Sequence, residues 1–135
     1  MSVLVVGSTN LDISVRVPCL PAKGETRIGS GISSQYGGKG ANQACAIGKL
    51  GGDVTFLTSV GDDHYGHEIM AYLTRMGVKT DRAKYCKEHS TGMAIINVDA
   101  NGDNSIVVVQ GANEACDVNY IRANEECFKI CDYVL

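Results

Sequence analysis

Gly37-Gly38-Lys39-Gly40-Ala41-Asn42-Gln43-Ala44 is the stretch on which the reading of this sequence turns. Its glycines allow a tight turn and let a ligand come close to the backbone. The alanine-rich run behind them opens a helix, whose first N–H groups have no partner inside the helix. Two familiar phosphate loops do not match: Lys39 is followed by Gly40 and Ala41 instead of a hydroxyl residue, and no GxGxxG fingerprint occurs here. A ligand-holding helix start and a purely structural tight turn both remain open, although the structural turn has no need of Lys39 and Asn42.

Read outward from this block, the chain alternates strands and helices. The helix runs to Leu50 and stops at Gly51-Gly52, a glycine ending. Val54 to Val60 reads as a buried strand. Asp62-Asp63 supplies a helix start, and His64 to Met76 carries Ile69, Met70, Leu73 and Met76 at helical spacing. Upstream, Val3 to Val6 is a β-branched run suited to a strand buried on both faces. Asp12 to Val17 alternates apolar and polar residues, and Arg27 to Tyr36 suits a second exposed strand or an irregular loop. Residues 92–98 and 104–110 flank Asn101-Gly102, a hairpin signal. Asp117 to Cys131 reads as one more helix, and Asp132-Tyr133-Val134-Leu135 opens a strand that is cut short. Alternating strand and helix imply an α/β fold with a layered parallel sheet. The early strands and the later hairpin fit a small β-sheet standing off it.

Composition narrows the function classes. The 135 residues are 44% hydrophobic and 20% charged, with a formal net charge of -3. Lys and Arg are scattered, so no basic footprint for nucleic acid exists. No apolar run approaches the roughly 20 residues needed to cross a bilayer, and the N-terminus lacks a basic leader, which points to the cytosol. Six cysteines without a CxxC then read as reduced thiols. Cys127 and Cys131 could share a helix face, but a pair of small apolar residues explains them better than a metal site.

A second constellation is Gly7-Ser8-Thr9-Asn10-Leu11-Asp12, at the carboxyl end of the first buried strand, the edge where open α/β sheets bind ligands. Asn10 offers a donor and an acceptor and Asp12 two acceptor oxygens, which together suit a vicinal diol. The competing reading is a pair of turn formers. His64, His67 and His89 lie in no motif that puts them beside a ligand, Asp62 and Asp63 read as helix caps, and Tyr36 as a core or sheet residue.

Taken in order, Gly7-Ser8-x-Asn10-x-Asp12, Pro21-x-x-Gly24-Glu25-Thr26, the Gly37–Ala44 block, Gly61-Asp62-Asp63 with Gly66, Ser90-Thr91-Gly92 and Gly111-Ala112-Asn113 resemble the PfkB-type carbohydrate kinases, and among them the ribokinase branch. The resemblance covers nearly the whole chain. It implies an incomplete ribokinase-like layered sheet with a small β-sheet lid, formed by segments near 12–36 and 91–110. It implies that Asn10 and Asp12 hold sugar hydroxyls, with Gly38, Lys39 and Asn42 forming the other side of the clamp. The Gly111-Ala112-Asn113 turn is expected to give structural support at the lid base.

The family's Gly-Ala-Gly-Asp run, which carries the general base, is not found among these residues. Nor are its Asn-x-x-Glu motif, nucleotide pocket and monovalent-cation loop. The chain is therefore expected to be the N-terminal portion of such a kinase, residues 1–135, with the general base beyond residue 135 and little stability on its own. The parent activity implied is ATP-dependent phosphorylation of D-ribose to ribose 5-phosphate, with Mg2+ and K+ bound outside this chain and a possible homodimer through the lid. Another sugar or nucleoside kinase of the family, a non-catalytic sugar-binding fragment and a functionless gene fragment are the alternatives.

Overall fold

The computed structural model describes residues 1–135. In chain order the strands are β1 (Ser2–Val6), β2 (Asn10–Arg16), β3 (Gly31–Gly37), β4 (Asp53–Leu57), β5 (Ser59–Gly61), β6 (Val78–Lys79), β7 (Lys84–Cys86), β8 (Gly92–Val98), β9 (Asn104–Val109) and β10 (Tyr133–Val134). The helices are α1 (Lys39–Lys49), α2 (His64–Arg75), α3 (Val118–Ala123) and α4 (Glu125–Ile130), with a 3-10 turn at Gly111–Ala115.

The main sheet is parallel throughout, in the order β10-β1-β4-β6. Side chains alternate across a strand, so β1 and β4 each feed two cores. Val3, Val5, Val54 and Phe56 pack with Ala41 and Ala44 of α1 and Ile69, Met70 and Leu73 of α2. Leu4 and Leu57 point the other way and pack with Tyr120 of α3 and Cys127 of α4. The helices thus cover both faces, as the apolar run Val3–Val6 of β1 and the buried Val54, Phe56 and Leu57 of β4 require. The small alanines of α1 have a separate purpose: they let that helix lie close to the sheet.

A second four-stranded sheet has the order β3-β2-β8-β9. Its two antiparallel hairpin pairs are joined by a parallel contact between β2 and β8. Asn10, Asp12, Ser14 and Arg16 share one face of β2, and the register places Gly37, Gln35, Ser33 and Gly31 beside them on β3. β9 is exposed along its whole length, including Ile106, Val107, Val108 and Val109.

Two sequence expectations need correction, and a third is refined. Val54 to Val60 is not one strand: it breaks at Thr58, and β5 leaves the main sheet to pair with β7. The buried Thr58 hydroxyl bonds the Thr9 hydroxyl at 2.8 Å, and its carbonyl accepts from Lys84 N–H, so tertiary partners take the place of the ladder. Asp117 to Cys131 is not one helix either. It breaks at Asn124, whose side-chain amide donates to the Tyr120 carbonyl at 2.9 Å and competes with the backbone for it. Lastly, Arg27 to Tyr36, open between an exposed strand and an irregular loop, divides into both: 27–30 are irregular and the strand begins at Gly31.

The start of α2 is tied to β8 by a carboxylate. Asp63 Oδ1 accepts from Gly66 N–H at 2.8 Å, capping the helix, and from the Thr91 hydroxyl at 2.7 Å. Oδ2 accepts from Thr91 N–H at 2.7 Å. Burial alone would raise the Asp63 pKa, but these hydrogen bonds, helped by nearby His67, outweigh it and hold the carboxyl below the usual carboxylate range. Stability from Asp63 is therefore complete above the ordinary Asp pKa and lost as pH falls through the depressed native value. Asp63→Ala is expected to cost about 2 kcal/mol at neutral pH. It should also flatten the acid limb of the stability curve, as read by urea unfolding at several pH values.

Candidate functional site

The site sits where the carboxyl end of β1 meets the start of α1. Two close backbone approaches build it. A Cβ on Gly40 would lie 2.7 Å from the Gly7 Cα, so only glycine lets α1 come this near the end of β1. Ala41 N–H donates to the Ser8 carbonyl at 3.1 Å and fixes the helix start there. Gly38, with φ 95 and ψ 138, precedes the helix in a conformation that side chains disfavour, and no side chain caps the helix.

β2 then carries Asn10 and Asp12 outward from this junction. Asn10 pairs in register with Gly37, and the Asp12 carboxylate overlies Gly37, where a Cβ would collide with it. Gly37, read from the sequence as part of the glycine block but not among the clamp residues, is thus a site-building residue. Asp12 is partly buried, and burial alone pushes its carboxyl pKa up, with no hydrogen bond or cation offsetting it. A desolvated carboxylate without partners is suited to accept hydrogen bonds from a ligand.

The structure brings Asn10, Asp12, Gly37 and Gly38 together through sheet register and backbone contact. Lys39 and Asn42 lie in the first turn of α1 with exposed side chains. Neither makes a hydrogen bond or ion pair to Asn10 or Asp12. Asn42 also borders a cavity of about 280 Å³ between α1 and α2, lined by Tyr36, Cys45 and Tyr72 among others. The Tyr36 hydroxyl donates to Glu68 at 3.3 Å, which places that side chain on the α2 side of the clamp.

Among the histidines, His67 Nε2 lies 2.8 Å from Asp62 Oδ1, and His64 lies 3.5 Å from Glu68, both on the exposed side of α2. No group of three or more His, Cys, Asp or Glu side chains converges anywhere in the structure. No helix is long and apolar enough to cross a membrane.

The family model described as "pfkB family carbohydrate kinase" matches residues 1–132. The ribokinase of Bacillus subtilis is 43% identical over 135 residues, covering 99% of this chain and 45% of the relative. The solved ribokinase of Giardia lamblia superposes with a TM-score of 0.89 at 33% identity, covering 98% of this chain and 40% of that one. The ribokinase of Arabidopsis thaliana, solved with ribose and ATP, superposes with a TM-score of 0.75 at 38% identity, covering 83% of this chain and 36% of that one. The chain spans about half the length of the relatives it matches or less.

Proposed function

This chain belongs to the pfkB family of carbohydrate kinases, and from that premise we propose that it forms the sugar-holding portion of an enzyme that phosphorylates D-ribose at its 5-hydroxyl with ATP. The observation that carries the reading is the Asp12 carboxylate, partly buried, without a protein partner, and beside Asn10. A sugar hydroxyl that donates to Asp12 replaces the water lost on burial, and the polar groups of Asn10, Lys39 and Asn42 complete the hold. Gly38 contributes backbone and space, because no Cβ fits there. These residues bind and orient. The general base, the nucleotide pocket and the holders of Mg2+ and K+ belong to sequence other than residues 1–135.

In this reading the β3-β2-β8-β9 sheet is a lid, formed by segments near 12–36 and 91–110, whose Asp12 face covers the sugar. Closure would exclude water from the transferring phosphoryl group. The same sheet is also proposed to join two subunits, supported by the exposed apolar strand β9 at its edge. Val107→Lys combined with Val109→Lys is then expected to convert a dimer to monomers, measured by sedimentation. A dimer unchanged by both lysines would remove β9 from the interface.

The function is tested by measuring ATP consumption by the full-length protein that contains this chain, with ribose, 2-deoxyribose, fructose and adenosine as acceptors. Ribose should give the highest kcat/KM. A clear preference for another acceptor would keep the kinase and replace the substrate. No acceptor-dependent turnover and no ribose binding would overturn the reading.

A further inference from the structure

Asn113 sits in the 3-10 turn that follows β9, yet its side chain reaches the clamp 103 residues earlier in sequence. Its Oδ1 accepts from Thr9 N–H at 2.8 Å. The two hydrogens of its Nδ2 are shared among three acceptors, the Thr9 carbonyl at 3.2 Å, Asn10 Oδ1 at 2.8 Å and the Gln110 carbonyl at 3.0 Å. The three backbone partners leave no freedom in how this amide is turned. Thr9 N–H can only donate and the Thr9 and Gln110 carbonyls can only accept, so the atom facing Asn10 is the NH2 group. The Asn10 atom that meets it must then be the oxygen.

Gly92 is an independent sign that the pair is built in. It lies opposite Asn10 in the register, and a Cβ there would collide with Asn113 Nδ2 and come within 2.5 Å of Asn10 Oδ1. The space over Gly92 is filled by the amide pair. The hydrogen bonds of Ala112 N–H to Ser90 and of Asn113 N–H to Gln110 hold the turn itself.

We propose that Asn113 is a positioning residue for the sugar clamp: it holds the oxygen of Asn10 and so fixes how that amide is turned, with the N–H donors of Asn10 directed to the sugar. This rests on the reading of Asn10 and Asp12 as a sugar clamp. It sharpens that reading chemically, because the clamp becomes polarised. Asp12 takes a hydrogen from one hydroxyl, while Asn10 gives a hydrogen to a sugar oxygen. A deoxy sugar that lacks that oxygen leaves the Asn10 N–H without a partner and is rejected.

The test is ribose affinity of the full-length protein by titration calorimetry, with Asn113→Asp, Asn10→Ala and the double variant. An aspartate keeps an acceptor for Thr9 N–H but turns an oxygen toward Asn10, whose amide must rotate and show its oxygen to the sugar. Asn113→Asp is expected to weaken ribose about tenfold or more and to narrow the preference for ribose over 2- and 3-deoxyribose, with ATP affinity unchanged. In the Asn10→Ala background the same change should have almost no further effect on ribose, since the residue it acts through is gone. Asn113→Ala, which adds no charge, serves the same cycle if the aspartate variant melts below the assay temperature. Ribose affinity within twofold of the unmodified protein, or effects of the two sites that simply multiply, would overturn the positioning role while leaving the sugar clamp standing. An unmodified protein that does not bind ribose would overturn the clamp and this role with it.

Discussion

Asp12→Asn is expected to lower ribose affinity and ribose-dependent kcat/KM of the full-length protein by a factor of about 10 to 10,000, because it removes one or two charge-assisted hydrogen bonds worth roughly 1.5–3 kcal/mol each. The same change should not destabilise the ligand-free protein. Burial raises the Asp12 pKa, and no hydrogen bond or cation compensates. A raised carboxyl pKa means that the fold disfavours the charged form. Its cost is present above the native pKa and relieved as pH falls through that value. At neutral pH the asparagine variant is therefore expected to melt at the same temperature as the parent or slightly above it. Loss of binding together with an unchanged or raised melting temperature identifies a residue kept for the ligand. A variant that binds ribose normally would remove Asp12 from the clamp.

Gly38→Ala is expected to damage the protein twice over, through backbone strain and through collision with backbone atoms. Gly38 has φ 95 and ψ 138, a region that side chains rarely enter, at a cost of about 1–3 kcal/mol. Its added Cβ would also lie 2.5 Å from the Ser8 carbonyl oxygen and 2.9 Å from the Thr9 Cα. Those are backbone atoms where β1 gives way to β2, so they cannot swing aside as a flexible side chain could. Overpacking of this kind costs about 1–3 kcal/mol more. The combined loss is about 3 kcal/mol, near 10 °C in thermal midpoint, and binding should fall with it because the junction that carries Asn10 moves. Gly51→Ala is the control. Gly51 has φ 78 but open space around its Cβ position, and a loss of only about 1 kcal/mol is expected from the backbone term alone. Equal losses at both positions in a chemical denaturation series would show that the close approach at Gly38 carries no weight.

The two positions also show how far the sequence could be read. The glycines at 37–40 announced close backbone approaches by residue type alone, and the structure gives each of them a partner: Asp12 over Gly37, Ser8 and Thr9 against Gly38, Gly7 against Gly40. The apolar runs of β1 and β4 likewise announced buried strands, and α1/α2 and α3/α4 supply the two covers. Asp63 was readable as a helix cap but not as the acceptor for Thr91, 28 residues away. Asn113 was expected only as part of a turn that gives structural support at the lid base. Nothing in Gly111-Ala112-Asn113 as a string says that its amide reaches Asn10.

The breaks at Thr58 and Asn124 are of the same kind. Val54 to Val60 contains no glycine or proline, and the residues of 117–131 suit a helix, so local propensity argues for continuity in both. Thr9 and Lys84 bind the turning point at Thr58, and an amide-to-carbonyl bond within the segment unseats the helix at Asn124.

By itself the sequence determined where most of the strands and helices lie, though not the short strands β6 and β7 or the breaks at Thr58 and Asn124, and where the backbone must pass unusually close, because periodicity and the absence of a Cβ are properties of neighbouring residues. Only the tertiary structure decided which polar groups meet. It put Asn113 against Asn10, Thr91 against Asp63, and left the Asp12 carboxylate without a partner. A hydrogen bond depends on distances of tenths of an ångström between residues that sheet register brings together from far apart in the chain, and the order of residue types does not encode that register.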